Sequence, residues 1–243
     1  MSLTPPPRGD VFATTHWSAV KLAARNDSAQ AQRALSDLCS GYWYPLYAFI
    51  RRQGVSPHDA QDLTQEFFAR FIAGNYLSDI SPDQGRFRAF LIACLKHFLA
   101  NERDRARAQK RGSGHRIISF DETDAEERYK FEPADTESAD KLFERRWAMT
   151  LLEKVLTTLR AEFRRDGKEA TFEKLKPALT GARETQPYAE LARELKMSEG
   201  AVKVAVHRFR HRYRELLRQE IACTVSNESE IDDEIRYLFS VLG

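Results

Sequence analysis

The chain has 243 residues, 42% hydrophobic and 30% charged, with a formal net charge of +2; it can bury one or two modest cores, and two small helical domains fit this polar composition better than one large one. Cys39, Cys94 and Cys223 are odd in number, far apart and in no C-x-x-C pair, so neither a disulfide framework nor a thiolate zinc site is indicated and a reducing cytoplasm is expected. No basic leader precedes an apolar segment and no apolar run approaches the ~20 residues a bilayer needs, which argues against export and against a membrane partner.

Residues 1–15, with Pro5-Pro6-Pro7 and Gly9, are expected to be a disordered lead-in. Strand-type alternation is scarce, so the chain reads as all-α, with helices near 16–25, 28–52, 57–73 and 86–110 forming a first domain over 16–116. The aromatic run Tyr42, Trp43, Tyr44, Tyr47 and Phe49 lies in an amphipathic segment with Leu38, Leu46 and Ile50, which favours core packing over a base-stacking platform. In the third helix Ser56 is a good N-cap, Pro57 suits the first helical position and Asp59 favours the positive end of the dipole. Its stripe of Ala60, Leu63, Phe67, Phe68 and Phe71 should be buried, leaving Asp59, Asp62, Glu66 and Arg70 as a largely acidic ridge.

The fourth helix pairs an apolar stripe (Phe87, Phe90, Leu91, Leu95, Phe98) with Lys96, His97 and Asn101, then enters a cation cluster. Residues 86–116 hold nine basic side chains against two acidic ones, a local balance of +7. Cations and short polar groups beside aromatics suit single-stranded or melted DNA. Residues 121–140 reverse the sign, with nine acids against two bases, and 117–140 reads as an acidic linker able to lie in a basic channel of a partner.

A second domain is expected over 141–224. Within it, 160–184 carries Arg160, Arg164, Arg165, Lys168, Lys174 and Lys176 on an amphipathic helix. Residues 187–217 read as a helix-turn-helix. Tyr188, Leu191, Ala192 and Leu195 recur at helical spacing, Lys196-Met197 break the run, and Ser198 caps a second helix. Val202, Ala205, Val206, Phe209, Tyr213 and Leu216 form that helix's inner stripe, while Lys203, His207, Arg210 and Arg214 lie opposite. Between 201 and 218 there are six Lys/Arg against Glu215 alone. A charged face is often merely solvated, but the short preceding turn and Gly200 near the helix start suit close approach to duplex DNA. The tail over 225–243 starts acidic and then places Ile231, Ile235, Leu238, Phe239 and Leu242 at helical spacing. It reads as a closing helix or as an autoinhibitory cover for the second helix of the helix-turn-helix.

Two DNA-directed surfaces, an acidic linker and an acidic ridge together resemble the extracytoplasmic-function (ECF) group of bacterial RNA polymerase sigma factors, in wording most like the planctomycete-type lineage. The run Asp59-Ala60-Gln61-Asp62-Leu63-Thr64-Gln65-Glu66-Phe67-Phe68 is similar to the helix that grips core polymerase. Phe87-Arg88-Ala89-Phe90-Leu91 with Lys96, His97 and Asn101 resembles the region that melts and reads the minus-ten element, and Ser198-Glu199-Gly200-Ala201-Val202-Lys203 with His207-Arg208 resembles the minus-thirty-five helix. The resemblance implies a non-enzymatic initiation factor with core polymerase and promoter DNA, duplex and melted, as partners in the nucleoid-associated cytoplasm. It implies core binding by Asp59, Asp62, Gln65, Glu66 and Arg70. Minus-ten contacts would come from Arg88, Lys96, His97, Asn101, Arg103 and Arg105, and minus-thirty-five contacts from Glu199, Gly200, Lys203, Val204, His207, Arg208 and Arg210. No catalytic residue, metal or other cofactor is implied. An anti-sigma factor could dock on the tail, and a kinase acting on Thr64 would change the charge beside the ridge. Gln61 stands where the family usually has an acid, His97 where many members have Asn, and the 160–184 segment is longer than usual.

Two other classes compete. A helix-turn-helix regulator that never joins polymerase shares the DNA-binding end but gives no reason for the ridge and the second basic surface. A metal enzyme could use His58, Asp59, Asp62 and Glu66, or His207 with His211, but neither set completes a motif such as H-E-x-x-H.

Overall fold

The computed structural model describes residues 29–73, 86–108, 122–130, 138–179, 188–225 and 227–243. Every regular element among them is helical: α1 (Ala29–Arg52), α2 (Pro57–Ile72), α3 (Phe87–Ala108), α4 (Glu122–Lys130), α5 (Ala139–Arg165), α6 (Glu169–Leu175), α7 (Tyr188–Leu195), α8 (Glu199–Ala222) and α9 (Ile231–Ser240), with 3-10 turns at Lys176–Leu179 and Glu228–Glu230. The chain is therefore all-α over the described residues, and no helix there is long and apolar enough to cross a membrane. The lead-in over 1–15, the helix near 16–25, the basic tract from 109 to 116 and residues 180–184 of the amphipathic segment lie outside the described residues.

Local chemistry sets the helix starts. Ser56, Ser138 and Ser198 each hold extended backbone and accept a hydrogen bond from the amide of Asp59, Lys141 and Ala201, respectively, satisfying one of the donors a helix start leaves unpaired. Gly54 and Gly167, at φ 81° and 70°, turn the chain after α1 and α5 in the left-handed region that glycine enters without a Cβ penalty.

Among the described residues the core is one cluster that runs from Leu38 to Leu238. Tyr42, Phe67, Phe71, Phe87 and Phe98 are fully buried and meet edge-on or tilted, with centroids 5.6 Å apart for Tyr42–Phe87 and 5.7 Å for Phe67–Phe98. A second aromatic cluster joins Phe163, Phe172 and Phe209 at 5.5–6.0 Å. Between them runs α5, whose 27 residues extend about 40 Å at the helical rise. Its first half buries Leu142, Phe143, Trp147 and Leu151 in its extensive packing on α1. Its second half runs antiparallel to α8, tied by Lys154–Glu220 at 2.8 Å, Glu162–Arg212 at 2.6 Å and the Phe163–Phe209 contact. The helix expected to open a separate domain is thus a spine shared by both halves.

The described part of the acidic stretch is held against the N-terminal helices rather than left open to a partner. Residues 122–130 form α4, which docks on α1 through buried Ala125. Glu126 accepts from Tyr47 Oη at 2.5 Å and from Arg51 Nε and Nη2 at 3.0 and 2.8 Å. The Arg51 hydrogen bond is the main cause holding the Glu126 carboxyl below its ordinary range. A fork of donors from α1 gives this acidic segment a fixed place that local sequence does not reveal.

Candidate functional site

The helix-turn-helix comprises α7 and α8. Their turn is a Schellman motif: Met197 N–H donates to the Ala192 carbonyl at 3.0 Å and Lys196 N–H to the Arg193 carbonyl at 3.3 Å, with Lys196 at φ 53° in the left-handed position usually given to glycine. Ser198 then starts α8. Val202, Val206, Phe209, Leu216, Leu217 and Ile221 are buried on one face. Glu199, Gly200, Lys203, Val204, His207 and Arg208 all lie exposed on the other, and a Cβ added at Gly200 would meet nothing within 4 Å. His211 and Arg214 extend the exposed strip, and the His207 and His211 rings are inclined by 27° with centroids 6.5 Å apart. Arg210 differs from the rest of its expected set. It is part-buried and its Nε donates to the Ala178 carbonyl at 2.9 Å, so it holds the 3-10 turn of the 160–184 segment.

The described part of that segment, 160–179, forms the end of α5, the short α6 and this turn. Arg160 and Arg164 both contact Glu169, at 3.0 and 2.8 Å, and Lys174 pairs with Glu194 of α7. Several cations expected there are therefore spent on fastening α5 to α6 and α6 to α7.

The acidic ridge on α2 is present but partly committed. Asp59 is exposed and accepts from Ser56 Oγ at 2.7 Å, and half-exposed Asp62 contacts His58 at 3.1 Å. Glu66 accepts from Arg70 Nε at 2.7 Å, while Arg70 Nη1 reaches Glu102 of α3 at 2.7 Å and its guanidinium lies 5.2 Å from the Phe98 ring. Arg70 is a tie between α2 and α3 rather than a free surface cation. Gln65 is half-buried, with its side-chain nitrogen unpartnered. Thr64 is fully buried and its hydroxyl donates to the Ala60 carbonyl at 2.6 Å, so a kinase has no access to it in this fold.

The six minus-ten candidates separate. His97, Asn101, Arg103 and Arg105 lie on the exposed side of α3, with Asn101 Nδ2 3.2 Å from His97 Nδ1 and Arg105 on Glu102 at 2.7 Å. Lys96 contacts Asp140 at the start of α5 at 2.5 Å. Arg88 does not reach the surface, being only 3% exposed. Its Nε donates to Glu144 at 2.6 Å, its Nη1 pairs with Glu234 of α9, and its guanidinium lies between the rings of Trp147 and Tyr237 at 4.3 and 4.5 Å. Glu234 is itself fully buried and also meets Arg86 at 2.9 Å. Glu234, Glu144 and Arg86 were not among the site residues expected from sequence.

The tail does not cover the exposed strip of α8. Helix α9 buries Ile231, Glu234 and Leu238, meets the last turns of α8 through Arg218–Asp232, and reaches the start of α3. Among the described residues no group of three His, Cys, Asp or Glu is placed to hold a metal. Burial pushes the Cys39 and Cys94 thiols up to about 12 and about 11, which leaves both protonated near neutrality.

No family model, curated protein or solved structure matches the chain.

Proposed function

We propose that the chain is a sigma factor of the ECF type: it binds core RNA polymerase through α2 and directs initiation at promoters, reading a minus-thirty-five element with α8 and a minus-ten element with α3. In this reading two functional modules, about 16–116 and 141–224, act on one promoter. The observation that carries it is the exposed strip of Glu199, Lys203, His207 and Arg208 on the capped second helix of a helix-turn-helix. Helices placed this way present their first turns to base edges in the major groove. Exposed Asp59 and Asp62 on α2 support the polymerase-binding half of the reading.

The test is capture by purified bacterial core RNA polymerase, comparing wild type with Asp62→Ala, Glu66→Ala. Arg70 keeps its partner Glu102 in that variant, and its circular dichroism should match that of wild type. Stoichiometric capture that the substitutions abolish is the expected result. The burial of Arg88 favours a second reading, a helix-turn-helix regulator that binds duplex DNA without joining polymerase, since such a protein needs no second nucleic-acid surface. Duplex binding without capture of folded wild type would decide for it.

A further inference from the structure

We propose that α9 is an internal competitor for nucleic acid: the Glu234 carboxylate fills an anion site formed by Arg86 and Arg88, which a phosphate of single-stranded nucleic acid takes when α9 is displaced. This rests on the reading of α3 as a nucleic-acid surface.

The chemistry of the site is that of an oxyanion clamp. Glu234 Oε2 meets Arg86 Nε at 2.9 Å and Oε1 meets Arg88 Nη1, so each oxygen of one carboxylate faces a separate guanidinium as an ion pair, without hydrogen-bond geometry. Planar guanidinium donors match carboxylate and phosphate oxygens alike. Tyr237, one turn after Glu234, lies 4.9 Å from the Arg86 and 4.5 Å from the Arg88 guanidinium. Both groups belong to α9 and leave with it. Glu144 and Trp147 belong to α5 and stay, so Arg88 keeps its Nε bond to Glu144 while its Nη1 and the whole of Arg86 lose their acid. The vacated site carries two cations against one anion, at the start of the helix whose later turns expose His97, Asn101, Arg103 and Arg105.

The attachment is suited to exchange. A ten-residue helix is marginal alone in water, and α9 fully buries Ile231, Glu234 and Leu238, with Ile235 partly buried against the core. A buried ion pair is no better a fastener than an apolar contact of the same volume. Its distinguishing property is that another anion can replace the carboxylate. Asp140 on Lys96 repeats the pattern farther along α3, again with an acid from the C-terminal half on a cation of the N-terminal half.

The test uses the full chain and a fluorescent single-stranded oligodeoxynucleotide, with affinity read by anisotropy over a salt series. Glu234→Gln keeps the side-chain volume and removes the charge. The expected gain is about a hundredfold, as for a competent fraction rising from about a hundredth toward one, and the slope of log affinity against log salt should stay as in wild type, because the same phosphates are held in both complexes. Asp233→Asn removes the same charge from an exposed position that contacts Arg236 and should change neither. Equal gains in both variants, or no gain in Glu234→Gln, overturn the proposal. Should Glu234→Gln fail to fold, wild type decides alone: saturating oligonucleotide should accelerate hydrogen exchange of the 231–240 amides, and unchanged exchange overturns the proposal. Polymerase capture is scored separately, so retained capture without competition removes the α9 proposal only, whereas lost capture removes the sigma-factor reading.

Discussion

Arg88 of α3 and Glu234 of α9 form an ion pair almost wholly shut off from water, with side chains 3% and 0% exposed. Truncating one partner of such a pair strands the other charge in a low-dielectric site, at a cost of about 3–5 kcal/mol. Glu144 remains on Arg88, so Glu234→Ala should fall at the lower end of that range in urea unfolding. Arg88→Met combined with Glu234→Leu should recover part of the loss, because apolar groups of similar volume replace both charges while Glu144, 21% exposed, loses its cation and turns to water. A double variant no more stable than Glu234→Ala would show that packing, not stranded charge, sets the cost.

Lys196 adopts φ 53° in the turn between α7 and α8. A Cβ makes that conformation unfavourable by roughly 1–2 kcal/mol, and glycine returns about half through its larger loss of chain entropy. Lys196→Gly should therefore stabilise the protein by about 0.5 kcal/mol, and Lys196→Val, branched at Cβ, should destabilise it. Denaturant unfolding of the three proteins checks the order; a glycine variant less stable than wild type would mean that the lysine side chain itself supports the turn.

What the sequence made legible was local. Ser56 and Ser198 announce two helix starts, and the stripes of α2 and α8 lie where their spacing puts them. Thr64 carried a signal that the kinase reading missed, since it shares the face of Ala60, Phe67 and Phe71, all buried. Long-range pairing was not. Arg70 reads as a ridge cation because Glu66 is one turn before it, and only the fold supplies Glu102. The acids of 117–140 read as a linker open to a partner because nothing local shows that Arg51 and Tyr47 await Glu126. Glu234 carried a usable signal: it sits among Ile231, Ile235 and Leu238 on the apolar face of α9, and an acid on such a face needs a buried cation. Which cation it finds depends on α3, far away in the chain.

The carboxylates that tie helices together also set a pH dependence. Arg51 holds Glu126, and Arg212 holds Glu162, below the ordinary carboxylate range, in each case chiefly through side-chain hydrogen bonds. A folded-state value below the unfolded one, about 4.3 for Glu, means the contribution is complete above that pH and is lost as pH falls through the folded value. Glu126→Gln should therefore be less stable than wild type at pH 7, and the gap should close below about pH 4. Urea midpoints at several pH values test this; a gap of constant size would assign the loss to altered packing of α4.

Of the exposed cations on α8, Arg208 and Lys203 are expected to act differently on duplex DNA. Arg208 follows His207 on the outer face, and its fork can donate two bonds to a guanine edge, worth about 1–3 kcal/mol of discrimination against another base. Lys203 is a point charge suited to phosphate, which carries no sequence information. Arg208→Ala should therefore relax preference among duplexes with little change in salt dependence. Lys203→Ala should weaken matched and scrambled duplexes alike and lower the salt slope by about one. Binding titrations at several salt concentrations separate the two, and equal losses on both duplexes for both variants would mean that α8 holds the DNA backbone without reading its bases.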